Sequence, residues 1–433
     1  MLKKLKRILD NEVIKKSALA FSIKVLGALS GFLLNVVIAR YLGAEQAGYF
    51  FLAQAIVFIL AVAVRQGLDN ALVRYIAGYQ VLQQFDKVSG IYRLALTKVI
   101  PIAVISALLL FVLSHWLANA VFEKPPLELI LNIGALVVFP IALTQLHSFC
   151  FQGQKRITHA LLFQAAGLSS IALLCFWAFK PSNVIDALYL YFVSAIILCL
   201  FAFYFWNKGR KPKLSILEDC ERQKVLATAR PLFVIVMLAQ VTQWVGQLLL
   251  GALGSAEDVA LFATAQRTAL LTSFILIAVN SIAAPKFAES YRQEDMKQVR
   301  SVALMSGKLM TLFALPVVGF MFAFAPWLMG LFGSEFTEGA NLLRILALGQ
   351  FVNVITGSVG YLLQMTGHER ILRTNVLISS VFMIVGSALF IPLYGVTAAA
   401  CVTAFSIAIQ NLLCVYHVNK KLGFNTLNIL RSH

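Results

Sequence analysis

The sequence predicts an all-α fold that crosses a membrane about twelve times, and three observations carry that expectation. Charged residues make up 13% of the 433 positions, where a globular protein carries roughly 25%. Hydrophobic residues make up 60%, with a mean hydropathy of +0.83. The apolar positions gather into about twelve stretches of ~20 residues, the length that crosses ~30 Å of hydrocarbon at 1.5 Å rise per residue. Each stretch is continuously apolar instead of alternating, so the spans read as helices and not as the strands of a transmembrane barrel.

The first sixteen residues are basic and amphipathic. A full-length apolar stretch follows with no small-residue cleavage site, so an uncleaved first span is expected. The spans fall at 17–39, 46–64, 94–114, 129–151, 160–179, 187–206, 231–252, 259–284, 302–325, 341–363, 374–391 and 396–418. Between spans six and seven lies the most basic connection, with Lys208, Arg210, Lys211 and Lys213. The expected organisation is a six-helix lobe over 1–206, a linker over 207–230, a second six-helix lobe over 231–418 and a tail over 419–433.

Of the 36 lysines and arginines, 28 fall in the two termini and alternate connections, and the opposite connections hold only Arg40, Lys124 and Lys180. The positive-inside rule therefore places both termini in the cytoplasm, in the inner membrane of a bacterial cell. It also gives the net charge of +17 a topological role, with no nucleic-acid partner implied. The external connections are too short for a folded domain. Six cysteines with no CxxC pair indicate neither a disulfide framework nor a metal site.

A segment from Leu42 to Gln54 resembles one from Leu253 to Gln266. At an offset of 212, Ala44, Glu45, Phe50, Ala53 and Gln54 meet identical residues, although chance similarity between apolar segments is the alternative. If the repeat holds, two sets of six spans share one orientation, as in secondary transporters that place their site between parallel halves.

Five cations remain inside the spans: Lys24, Lys98, Arg267, Lys308 and Arg344. No carboxylate remains there. A charge in hydrocarbon costs at least ~2.5 kcal/mol, so it usually faces a wet cavity or an opposite charge. Without an acidic partner, the expected counter-charge is an anionic substrate. Lys98, Lys308 and Arg344 lie near span ends, where snorkelling is the competing reading. Lys24 and Arg267 lie deeper. Lys24, Gly27, Gly31 and Asn35 share one helical face, which suits either close helix packing or a groove for phosphate. Gln240, Gln243 and Gln247 form an amide stripe on span seven, fit for bonds between helices or for sugar hydroxyls. Gln54 and Gln266 match in the repeat. These residues, with Asn35, are the candidate substrate contacts.

No Walker A sequence occurs, because Gly307-Lys308 lacks the upstream glycine and is followed by Leu309. The six histidines form no ligand-spaced cluster, and no intramembrane carboxylate offers acid-base chemistry. Neither an enzyme, a cofactor nor a metal is expected.

The run from Gly31 to Ala55, with Asn35, Ile38-Ala39-Arg40-Tyr41-Leu42-Gly43 and Ala47-Gly48-Tyr49-Phe50, resembles the opening of the polysaccharide transporter family, the O-antigen flippase-like branch of the MATE-like superfamily. Gly367-His368-Glu369-Arg370 and Ile391-Pro392-Leu393-Tyr394-Gly395-Val396 resemble its C-terminal half. The resemblance implies two six-helix lobes around a cavity that opens alternately to each face. It implies a polyprenyl-diphosphate-linked oligosaccharide as cargo, with membrane lipid and other polysaccharide assembly proteins as partners. The cations and amides above would then meet diphosphate and sugar. An exporter of a small organic anion, a membrane enzyme acting on lipid-linked sugar and an envelope scaffold stay open as alternatives.

Overall fold

The computed structural model describes residues 12–208 and 217–428. The amphipathic first eleven residues and the linker cations Arg210, Lys211 and Lys213 lie outside them. The described chain is built from α1 (Glu12–Val64), α2 (Leu68–Val81), α3 (Phe85–Trp116), α4 (Leu127–Gly153), α5 (Ile157–Phe179), α6 (Val184–Asn207), α7 (Asp219–Leu253), α8 (Ala256–Arg292), α9 (Met296–Ala323), α10 (Ala340–Ile355), α11 (Val359–Met365) and α12 (Glu369–Leu422). Among the described residues, ten helical segments are long and apolar enough to cross a bilayer. Two of these, α1 and α12, are each a pair of spans joined at a glycine. Gly43 (φ 72°, ψ 177°) breaks α1 and Gly395 (φ 58°, ψ −141°) breaks α12, in backbone conformations open essentially to glycine alone. The twelve expected spans are thus present, and the chain is a multi-pass, all-α membrane protein.

Lipid explains why helices dominate. A backbone amide in hydrocarbon has no water to bond, so each segment must satisfy its own donors and acceptors. Pro101, Pro140, Pro231, Pro316 and Pro392 all sit inside helices, as membrane helices tolerate. Broad apolar faces stay exposed, for example Ile105, Leu108, Leu109, Phe111 and Val112 on α3, where a lipid-solvated surface has no reason to hide them.

The chain divides into two compact units, Met1–Trp244 and Val245–His433. In the first, α4 is the most enclosed span and packs against α1, α2, α3, α5 and α6. Its His147 meets Tyr92 Oη through Nε2 at 2.8 Å and the Leu143 carbonyl through Nδ1 at 2.7 Å, beside the buried rings of Phe151 and Trp206. In the second unit α10 lies between α8, α9 and α12. There Gly349 lets the α12 backbone approach so closely that a Cβ would stand 2.7 Å from Ala404 Cα.

The connection over 65–93 departs from the expected solvated loop. It holds α2, packed on α3 and α4, and its first residues are buried: Arg65 is 5% and Asp69 4% exposed. The second half of the expected linker, 219–230, is helical and runs unbroken into span seven as α7. Side chains from α2 and α3 hold it there. Tyr75 Oη donates to the Lys224 carbonyl at 3.2 Å, Tyr79 Oη donates to Glu221 Oε1 at 3.1 Å, and Lys87 Nζ pairs with the same carboxylate. Backbone passes backbone at Gly67 (φ 72°), where a Cβ would collide with the Ala229 carbonyl oxygen and with Phe233.

Gly67→Ala must therefore open this contact and force alanine into the left-handed region, at a combined cost of about 2 kcal/mol or more. A marked fall in thermal midpoint is expected in detergent. Gly78→Ala, in the helix that follows and with open space at its Cβ, should be neutral or slightly stabilising. Equal midpoints for the two variants would show that the Gly67 contact is absent.

Candidate functional site

A recess of about 390 Å³ opens within the first unit, lined by residues of five helices. The end of α1 supplies Phe58, Ala61, Val62 and Arg65, and α2 supplies Asp69 from its first turn. From α4 come Ile141, Gln145 and Phe149, from α5 Gln164, and from α7 Val236, Gln240, Gln243 and Trp244. Gln164 lies in a widened π-turn, Leu162–Ala166, a local rearrangement of helical backbone found often at functional sites.

The polar groups are fixed by one another. Arg65 Nε donates to Asp69 Oδ1 at 2.8 Å and Arg65 Nη1 to the Ala61 carbonyl at 2.7 Å, with both charged side chains 6% exposed. Trp244 Nε1 donates to Gln240 Oε1 at 3.1 Å, and its indole stacks on Phe58 with centroids 5.8 Å apart and planes at 20°. Gln145 Nε2 reaches the Gln164 carbonyl at 3.4 Å. The recess thus offers four amides, a stacked aromatic pair and one internally neutralised ion pair. It carries no net formal charge. Amides and a carboxylate exchange hydrogen bonds with hydroxyls, and an aromatic face accepts the C–H face of a sugar ring.

Asp69 corrects the expectation that the buried charges are all positive and wait for an anion from outside. The reason is local: Arg65 ends α1, Asp69 begins α2, and the turn through Gly67 folds one onto the other. Arg344 is also occupied, donating to the Phe322 carbonyl at 3.1 Å and to Asn341 Oδ1 at 2.8 Å, over the Phe322 ring. Arg267 is half-buried and engaged within the protein. Lys24 is exposed, while Lys98 and Lys308 are half-buried.

Of the sequence candidates, the recess brings together Gln240 and Gln243; Gln247, one turn on, is buried beyond the boundary of the unit. The face that begins at Lys24 is a packing seam. A Cβ on Gly27 would stand 2.9 Å from the Ala165 carbonyl of α5, one on Gly31 would stand 3.6 Å from Ser169 Oγ, and Asn35 Nδ2 donates to the Gly31 carbonyl at 2.6 Å. Gln54 Nε2 donates to Tyr191 Oη at 3.2 Å. Phe58, Arg65, Asp69, Gln145, Gln164 and Trp244 were not singled out from the sequence. Two signals were there: opposite charges four residues apart, and amides inside apolar spans four and five.

Removing one partner of the buried pair leaves the other charge uncompensated, at about 3 to 5 kcal/mol. Asp69→Leu alone should sharply reduce the amount of folded protein in the membrane. The double variant Arg65→Met, Asp69→Leu should restore that amount, measured by fluorescence-detected size exclusion, while transport stays lost. Recovery of transport as well would reduce the pair to a structural role.

Comparison with known proteins agrees with this architecture. The polysaccharide biosynthesis protein family matches residues 13–291, and the MatE family matches 231–389. A probable low-salt glycan biosynthesis flippase, Agl15 of Haloferax volcanii, is 24% identical over 425 residues, spanning 94% of this chain and 84% of that protein. Among solved structures, an inward-facing multidrug resistance MATE family transporter of the MOP superfamily superposes with a TM-score of 0.75 at 16% identity, covering 96% of this chain and 99% of the other. The lipid II flippase MurJ in an inward closed conformation also gives 0.75, at 15% identity, covering 95% and 90%. The fold is therefore MATE-like, as the resemblance in the sequence implied. With well over half of its residues matched, the chain belongs to the polysaccharide biosynthesis protein family.

Proposed function

We propose that this protein is a transporter, not an enzyme, and that it carries a polyprenyl-diphosphate-linked oligosaccharide, such as an O-antigen or other surface polysaccharide repeat, from the cytoplasmic to the outer leaflet. The proposed setting is a bacterial inner membrane with both termini cytoplasmic, and the proposed mechanism is alternating access. The observation that carries the reading is the recess beside Trp244: hydroxyl-matching amides and a stacked aromatic pair held inside a membrane-spanning bundle. Lipid gives such a surface no stabilisation, so a polar cargo must supply its partners. Family membership and the glycan flippase among the relatives support the same cargo class.

In this reading Gln240 and Gln243 contact sugar hydroxyls, with Gln145 and Gln164 opposite them. The polyprenyl tail stays in lipid while the head group crosses through polar surroundings, which removes most of the barrier that bare hydrocarbon imposes on a diphosphate.

Purified protein in proteoliposomes should make a fluorescent lipid-linked oligosaccharide of the inner leaflet accessible to an outside quencher. Replacing Gln240 and Gln243 by alanine should slow that movement about thirtyfold, since each of the two lost hydrogen bonds is worth about 1 kcal/mol. No movement above protein-free vesicles, across lipid-linked glycans of several repeat types, would overturn the proposed function.

A further inference from the structure

A recess of about 620 Å³ opens at the other end of the same unit, with Glu45, Gln46, Tyr49, Glu128, Asn132 and Asn183 among its lining residues. After the break at Gly43, α1 runs without interruption through Glu45 to Val64. That stretch of helix rises roughly 28 Å, nearly the thickness of the hydrocarbon layer. The recess therefore lies at the membrane face opposite the turn through Gly67. In the orientation proposed above, that face is external.

Three helices meet at its wall. Gln46 Oε1 accepts the Val184 amide at 2.9 Å, which ties α1 to the first turn of α6. Asn183 caps that turn, its Oδ1 accepting from the Asp186 amide at 2.9 Å. Glu128 lies in the first turn of α4, and its Oε2 meets His115 Nδ1 of α3 at 2.9 Å. Tyr49 Oη donates to Glu45 Oε1 at 3.1 Å.

What these bonds leave over decides what the recess accepts. Gln46 spends its oxygen on α6 and keeps its amide N–H groups as donors, while the carboxylates of Glu45 and Glu128 have lone pairs to spare. Asn132 Oδ1 is shut from solvent and has no hydrogen-bond partner among the described residues. A polar atom in that state costs stability unless something supplies its partner. No lysine or arginine stands in the lining. An anion would meet two carboxylates, and a bare cation has no use for the amide N–H groups. A hydroxyl both donates and accepts, so it matches the whole set. The rings of Pro125 and Pro126 add apolar wall, the usual complement to a few fixed polar groups in a ligand site.

Resting on the function proposed above, we infer that this recess is a second saccharide site, which takes the sugars of the glycan at the far membrane face and turns its diphosphate away. The two recesses differ in charge: the one beside Trp244 is neutral, and this one is negative through Glu45 and Glu128. A lipid-linked glycan crossing the bundle thus leads with its sugars. Its diphosphate follows and is repelled from the exit instead of lodging there.

The probe is the free oligosaccharide cleaved from whichever lipid-linked glycan the protein moves in proteoliposomes. Saturation-transfer NMR on full-length protein in phosphatidylcholine nanodiscs should show it bound, and the same oligosaccharide ending in a diphosphate should bind about fivefold more weakly. Glu45→Gln with Glu128→Gln should weaken the free oligosaccharide about tenfold and erase its advantage over the diphosphate form. Asn132→Leu should weaken it about fivefold while the thermal midpoint stays at or above wild type, because an unpartnered atom is removed. Unchanged affinity in these variants, or no saturation transfer from protein that does move the lipid-linked glycan, overturns the inference and leaves the flippase reading standing. A recess that takes calcium ion and no oligosaccharide, and loses the ion in the double glutamine variant, overturns it as well. Protein that moves no lipid-linked glycan defeats the flippase reading, and this inference falls with it.

Discussion

A polar recess inside a bundle bathed in hydrocarbon persists only if its charges are settled locally, and the contact of Arg65 with Asp69 settles them. The guanidinium is held by the carboxylate at 2.8 Å and by the Ala61 carbonyl at 2.7 Å. Both charges leave water on folding, which is costly unless the geometry is good and the remaining donors are used. The end of α1, the turn through Gly67 and the first turn of α2 are therefore fixed relative to one another. The negative end of the pair also sits at the N-terminus of α2, where the helix dipole favours it.

Helix α7 depends on that turn in its own way. It passes Gly67 with no room for a side chain, and Tyr75, Tyr79 and Lys87 clasp its first three turns. One continuous helix then lines a smaller recess at Arg230 and Phe233 and, further along, the neutral one at Gln240 and Trp244. The two recesses are joined along that one helix.

The membrane architecture was legible in the sequence because lipid imposes a coarse, strong rule: length and continuous apolarity suffice, and both glycine breaks fall where span boundaries were expected. Gln240 and Gln243 were legible for the same reason, as amides that hydrocarbon does not satisfy. Arg65 and Asp69 were not. Each lies at the edge of an apolar stretch, where a charge reads as belonging to a solvated loop, and only the packing of α2 shows where they sit. At Lys24 the sequence left two uses of one helical face open. Its small residues suit a phosphate groove or close packing, and Gly27 is used for close approach to α5; helical periodicity alone does not separate those two uses of glycine.

The two halves of the sequence carry this chemistry unequally. At the offset of 212 residues that aligns the turn at Gly43 with the turn near Gly254, Ile277 stands opposite Arg65 and Ser281 opposite Asp69. Neither can form an ion pair. The charged turn is thus particular to the N-terminal half, even if the framework around it is repeated. That asymmetry suits the proposed cargo. A lipid-linked glycan has one diphosphate and one reducing-end sugar, so one site suffices to hold it in a defined orientation. A second equivalent site would bury another pair of charges, with its desolvation cost, and would compete for the same head group.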